Sequence, residues 1–133
     1  MEDSQNELNK KYLGVGLKFP LTFESGKTTA LVEGMECLEQ RVKILISTPQ
    51  GRRVLRSQYG HILEELYDEQ NDDVLGTRVR DCFINLITIY EPALVIDRGK
   101  TSTIRPTPES LSLKMVTSIP SININKDFDF PIR

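Results

Sequence analysis

The chain is 133 residues long, with 38% apolar and 27% charged side chains, which fits one ordinary domain with one core and excludes a fibrous repeat or wholesale disorder. Seventeen basic against nineteen acidic residues leave a net charge of −2 without a Lys/Arg stripe, so nucleic acid is not an expected partner. No run approaches the roughly 18 consecutive apolar residues of a membrane span, and the polar start MEDSQNELNKK is unlike a signal peptide. No membrane insertion is expected, and the chain is expected to stay in the cytoplasm. Cys37 and Cys82 fall in segments that read as helix, which predicts buried thiols rather than a disulfide. With His61 as the one histidine they cannot supply a Zn site at usual spacings, and no cofactor is expected.

Residues 1–12 read as a loose polar tail. From Leu13 to Phe23 the odd positions are all apolar, with Gly14, Gly16, Lys18, Pro20 and Thr22 between them. This period of two, broken by glycines and a proline, predicts an edge strand or an extended arm lying across the core, whose apolar side calls for cover. Leu31, Met35, Leu38, Val42 and Leu45 lie within about 80° of one another on a helical wheel and predict a helix over 28–47, capped by Thr28 or Thr29. STPQGRR punctuates the chain at Pro49 and Gly51, and a short helix is expected after Gly60 with Ile62, Leu63, Leu66 and Tyr67 inward.

Asp72 or Asp73 caps a third predicted helix that runs to Tyr90, with Leu75, Val79, Cys82, Phe83, Leu86, Ile89 and Tyr90 on one stripe. Ile84 and Ile87 lie off that stripe, which calls for a second covering neighbour. Pro92 disfavours helical geometry at Glu91 and ends the helix. Beyond it the pattern is β. ALVID at 93–97 and SLSLKMVTSI at 110–119 are strands, the latter with Leu111, Leu113, Met115 and Ile119 on one side. Pro106 and Pro108 make the stretch between them a long connection with strand edges. After Pro120 the even positions Ile122, Ile124, Phe128, Phe130 and Ile132 become apolar, so 120–133 reads as an extended C-terminal arm, which would reach roughly 45 Å. The fold class is α+β: within a domain spanning 13–119, two longer helices and one short helix pack on a small, mainly antiparallel sheet formed by 93–98 and 111–119.

Catalytic readings fail on this chain. SGKTT at 25–29 resembles half of a phosphate-binding loop, but the position that needs the first glycine is Leu21, and the parallel βα units such a domain requires are missing. Glu64, Glu65, Asp68, Glu69, Asp72 and Asp73 crowd one helix and its exit instead of facing one another across a sugar. His61 has no nucleophile in a strained elbow to serve, and Gly14-x-Gly16 is too little for a dinucleotide fingerprint.

The succession GVGLKFP at 14–20, TPQGRR at 48–53, Tyr59-Gly60 and YEP at 90–92 before a strand resembles the gpW/gene-25-like baseplate wedge family over about residues 12–120. Gly16, Phe19 and Pro20 match its N-terminal motif, Gly51 and Arg53 a Gly-Glu-Arg turn whose middle acid is Arg52 here, and Tyr59 and Gly60 an aromatic-glycine pair. Glu91 and Pro92 match a Glu-Pro-Arg motif whose third residue is Ala93 here. The resemblance implies a structural role without catalysis: a baseplate component of a contractile phage tail, a type VI secretion machine or an extracellular injection system. Its implied partners are wedge proteins and the sheath, with the spike hub or inner tube as a further candidate. It also implies several copies in a sixfold baseplate, assembled in the cytoplasm, and sheath initiation by strand addition. Glu91, Pro92, Leu94, Ile96, Leu111, Leu113, Met115, Phe128 and Phe130 are the expected partner-binding residues, and Glu91 has the alternative of pairing internally with Arg53 or Arg98. The competing role implied by the same fold is a regulatory anti-adaptor that binds a response regulator. It would need one partner surface, whereas this chain keeps two alternating segments. A lysozyme activity attributed to some members is not carried over, because the two-carboxylate pattern fails here.

Overall fold

The computed structural model describes residues 2–23, 26, 29–66, 68–70, 72–105 and 109–132. The turn positions Ser25, Lys27 and Thr28, the inward position of Tyr67, and Pro106 and Pro108 lie outside the described residues. Where length suggested one core, the chain forms two compact units, Met1–Ile44 and Leu45–Arg133.

In the first unit a helix, α1 (Glu2–Leu13), replaces the expected loose tail. Its Glu, Gln, Leu and Lys residues are good helix formers, and Lys10 and Lys11 in the last turn complement the helix dipole. Leu13 anchors its end in the core. Strands β1 (Val15–Leu17) and β2 (Leu31–Glu33) pair antiparallel, and α2 (Gly34–Ser47) follows directly and carries its last turn into the second unit. The helix predicted from residue 28 therefore starts at Gly34, because Leu31 and Glu33 belong to the ladder. Lys10 pairs with Glu33 at 2.8 Å, which ties α1 to β2.

The second unit opens on a loop that leads to a short 3-10 turn (Leu63–Leu66) at the place of the expected short helix. Next comes α3 (Asp73–Tyr90). Asp72 caps α3 by accepting from Leu75 N at 2.8 Å, and the chain leaves the helix at Glu91, as Pro92 requires. Leu75, Val79, Phe83 and Leu86 are buried as predicted, and so are Ile84 and Ile87. Ile89 is 70% exposed instead of joining the stripe. The buried arc centres on Phe83 and Ile87, and a residue two positions from Ile87 points about 200° away from it.

Strands β3 (Val95–Ile96), β4 (Ser102–Ile104), β5 (Ser112–Ile119) and β6 (Ile124–Pro131) complete the unit. All pairings are antiparallel, so the α+β class is as predicted. β4 and β3 lie end to end along one side of β5, and β6 covers the other side from Ser112↔Pro131 to Ile119↔Ile124. α3 packs on β3 and β4. Leu111, Leu113, Met115, Thr117 and Ile119 face the core with Phe128, while Lys114 sits opposite Asp129 on the other face, a charge pair that favours this register. The segment expected as an extended arm is thus β6, laid along its own domain.

Candidate assembly interface

Strand addition needs an open edge, and the burial of β5 decides where one exists. Leu94, Leu111, Leu113, Met115 and Phe128 are core residues, at most 8% exposed. Both sides of β5 are occupied. The expected contact of these side chains with a partner is therefore not available in this structure. A continuous open edge lies one strand further out. Ile132 N donates to Leu111 O at 2.8 Å. Antiparallel alternation from that bond turns the backbone of residues 124, 126, 128 and 130 toward β5 and that of Asn125, Asp127 and Asp129 outward. Pro131, next in the outward series, presents a carbonyl but no N–H. Phe130 is half-buried, its ring stacked on Phe128 at 5.8 Å and 9°, and Ile96 is half-buried in β3.

The β1–β2 ribbon inverts the usual burial of an alternating strand. Gly16 and its partner Val32 face α2, while Val15, Leu17 and Leu31 face away and are exposed, as are Phe19, Leu21 and Phe23 further along. A Cβ on Gly16 would lie 3.1 Å from Cys37 Sγ, so the strand runs close to the helix at this position and a larger residue would need the Cys37 side chain to give way. Gln40 Nε2 donates to Leu17 O at 3.0 Å, and an Arg41 guanidinium N–H donates to Leu13 O at 2.8 Å. These bonds fix the ribbon by its backbone and leave its apolar side chains outward. Pro20, also exposed, follows a cis Phe19–Pro20 peptide.

The remaining motif residues meet around the loop of residues 48–61. His61 N donates to Thr48 O at 3.0 Å and Gln50 N to His61 O at 2.8 Å, closing its base, while Gly51 N donates to Ser57 O at 2.9 Å across its neck. Gly60 lies at φ +110° where the two arms cross, and Gly51 takes φ +85° at the opposite turn. The Arg53 guanidinium lies over the Tyr59 ring at 4.3 Å. Tyr59 meets Tyr90 edge to face at 5.0 Å, and Tyr90 Oη donates to Gln58 O at 2.8 Å. Glu91 is buried at the end of α3, and Pro92 is exposed. Burial pushes the Tyr59 phenol up; Arg53 draws it back, and Glu91 pushes it up again. Glu91 and Arg53 thus act on a common neighbour. Gly51, Arg53, Tyr59 and Gly60 build a braced loop here. Gln50, Gln58 and Tyr90 share that work: Gln50 Nε2 donates to Gln58 O at 3.2 Å.

His61, buried at the loop base, accepts from Leu63 N through Nδ1 at 3.3 Å. Burial pushes its pKa below the ordinary 6.5, against smaller upward pulls from Glu64 and its own backbone bond. Above 6.5 both folded and unfolded chains hold a neutral ring. As pH falls, the unfolded chain takes the proton first, so stability declines from about 6.5 toward the lowered folded value. Urea titrations at neutral pH and about one unit below 6.5 should show this loss in the parent chain and not in His61→Gln. An equal loss in both would assign it to another group.

Four of the six carboxylates considered for hydrolysis are engaged in structure. Glu64 lies 3.9 Å from Arg52, Glu69 pairs with Arg78, Asp73 with Arg105, and Asp72 caps α3. Both cysteines are free thiols, Cys37 buried and Cys82 half-buried. Among the described residues no cluster of His, Cys, Asp and Glu is grouped to hold a metal ion, and no helix is long and apolar enough to cross a membrane.

Solved structures match this arrangement. A chain of the anti-feeding prophage baseplate, from a six-fold symmetrised reconstruction, superposes with a TM-score of 0.70 and 22% identity over 84% of this chain and 87% of its own. A chain of the post-contraction pyocin R2 baseplate gives 0.64 and 17% over 79% and 97%. This is a baseplate-protein fold. A protein from Geobacter sulfurreducens described as a candidate tail lysozyme shares the fold at 0.69 and 16%, over 79% of this chain and 95% of its own. No family model and no curated protein matches the sequence. The resemblance read from the motifs is borne out at the level of the baseplate-protein fold.

Proposed function

We propose that the chain is a structural baseplate component of a contractile injection system, which joins wedge proteins and starts sheath polymerisation by accepting a strand. The observation that carries this reading is the fold shared, over 87% and 97% of the matched chains, with components of two baseplates. The outward backbone of Asn125, Asp127 and Asp129 supports the second half of it, because such an edge offers main-chain bonds to an incoming strand. Wedge contact is assigned to the apolar ribbon of Val15, Leu17 and Leu31 with Phe19 and Phe23, whose exposed side chains would be covered there. The reading assigns no reaction to Glu64, Glu69, Asp72 or Asp73, and the several copies it requires would sit around a sixfold axis.

The test is purification of the tagged chain from its producing cells, with mass spectrometry of what co-purifies and negative-stain imaging of the eluate. Recovery of sheath, tube and wedge proteins in stoichiometric amounts, with sheathed particles in view, is the expected result. Recovery of a response regulator alone would replace the assembly role by the regulatory one.

A further inference from the structure

The apex of the 48–61 loop is not explained by the fold. Val54 and Leu55 are 84% and 99% exposed, and Leu55 holds φ +61°. One exposed leucine is ordinary. A leucine in the left-handed region is not, since that conformation costs a branched side chain about 1 kcal/mol or more and suits glycine or asparagine. Here the strained conformation carries the side chain fully into solvent, at the tip of a loop held rigid from below by Gly51, Arg53, Tyr59 and Tyr90.

Residues 50–58 also carry three arginines, Arg52, Arg53 and Arg56, and no acid, in a chain whose net charge is −2. Beside the tip lies a depression of about 330 Å³ lined by Leu55, Arg56, Ser57, Gln58, Tyr59 and Tyr90. Arg53 lies over Tyr59 and Arg52 lies 3.9 Å from Glu64, while Arg56 lines the depression next to Leu55. A braced apolar tip with a cation beside it and an adjoining hollow has the anatomy of an interface anchor, where a buried apolar contact is flanked by charge that sets orientation.

We infer that Val54 and Leu55 form a docking finger that inserts into an apolar socket rimmed by carboxylates on a different protein chain. Preorganisation explains the strain: the tip is already in its bound conformation, so little ordering cost remains on association. The inference stands apart from the baseplate reading, since it specifies the chemistry of the socket and not the particle that holds it.

A photoreactive phenylalanine analogue in place of Val54, activated in the producing cells, tests it. The expected adduct maps to one site on another protein where apolar residues adjoin Asp or Glu. Its yield should fall about tenfold in Leu55→Gly and in Arg56→Glu, while the purified Leu55→Gly chain is as stable as the parent because glycine accepts φ +61° freely. Adducts to lipid or nucleic acid, adducts scattered over unrelated peptides, no adduct, or a yield unchanged in Leu55→Gly would each overturn the finger. Sedimentation of the chain with particles is scored separately. An adduct of the expected kind without particle association sinks the baseplate role alone, and association without an adduct sinks the finger alone.

Discussion

Gly60→Ala is expected to cost about 3 kcal/mol or more, a large share of the 5–15 kcal/mol that holds a typical domain together. Two effects add. At φ +110° any L side chain is strained by about 1–3 kcal/mol. The added Cβ would also lie 2.2 Å from Thr48 O, 3.0 Å from Pro49 C and 3.1 Å from Gln50 N, all backbone atoms. Relief would mean parting the two loop arms and losing the bonds between His61 N and Thr48 O and between Gln50 N and His61 O. Gly51→Ala is the control. It has φ +85° but nothing within 4 Å of its Cβ, so only the backbone term of about 1 kcal/mol applies. Chemical denaturation of both variants gives the comparison, and equal losses would mean the arms do not cross as closely as described.

Asp127→Pro is expected to leave the domain folded and abolish sheath growth. Asp127 is one of the residues whose N–H faces away from β5, so proline there removes no bond of the β5–β6 ladder and costs about 1 kcal/mol of φ restriction. An incoming strand would lose that donor and meet the pyrrolidine ring. Phe128→Pro, one residue on, removes an inward bond and a buried ring, and should cost about 3 kcal/mol or more. Circular dichroism melts of the isolated chains, with counts of sheathed particles in negative stain, separate the two. Normal sheathed particles from Asp127→Pro would remove β6 as the strand acceptor.

Both predictions depend on placements that the sequence shows only in part. The limits of α3 were readable from Asp72 and Pro92 because capping and proline geometry act within a few residues. The alternation of β5 was readable because one of its faces is buried. No apolar stripe marked α1: Leu8 and Tyr12 are exposed, and the residue that docks it, Leu13, stands at its very end. Leu31 fitted the helical wheel as well as it fits β2, so the start of α2 was read too early. The apolar side of the ribbon was found correctly, but its direction was not, because only the approach of Gly16 to Cys37 decides which side faces inward. For the partner residues, hydrophobicity marked Leu113 and Met115 as important without telling a core strand from a docking edge. Tyr59 and Tyr90 stand 31 positions apart, and no spacing rule brings their rings to 5.0 Å.

The inverted ribbon has a further effect on the free chain. Leu17, Phe19 and Phe23 stand in water on a molecule whose net charge of −2 gives little mutual repulsion. Copies of the free chain therefore attract one another through that surface more than charge keeps them apart. The solubility ceiling of the free chain is set by the same side chains that assembly would cover.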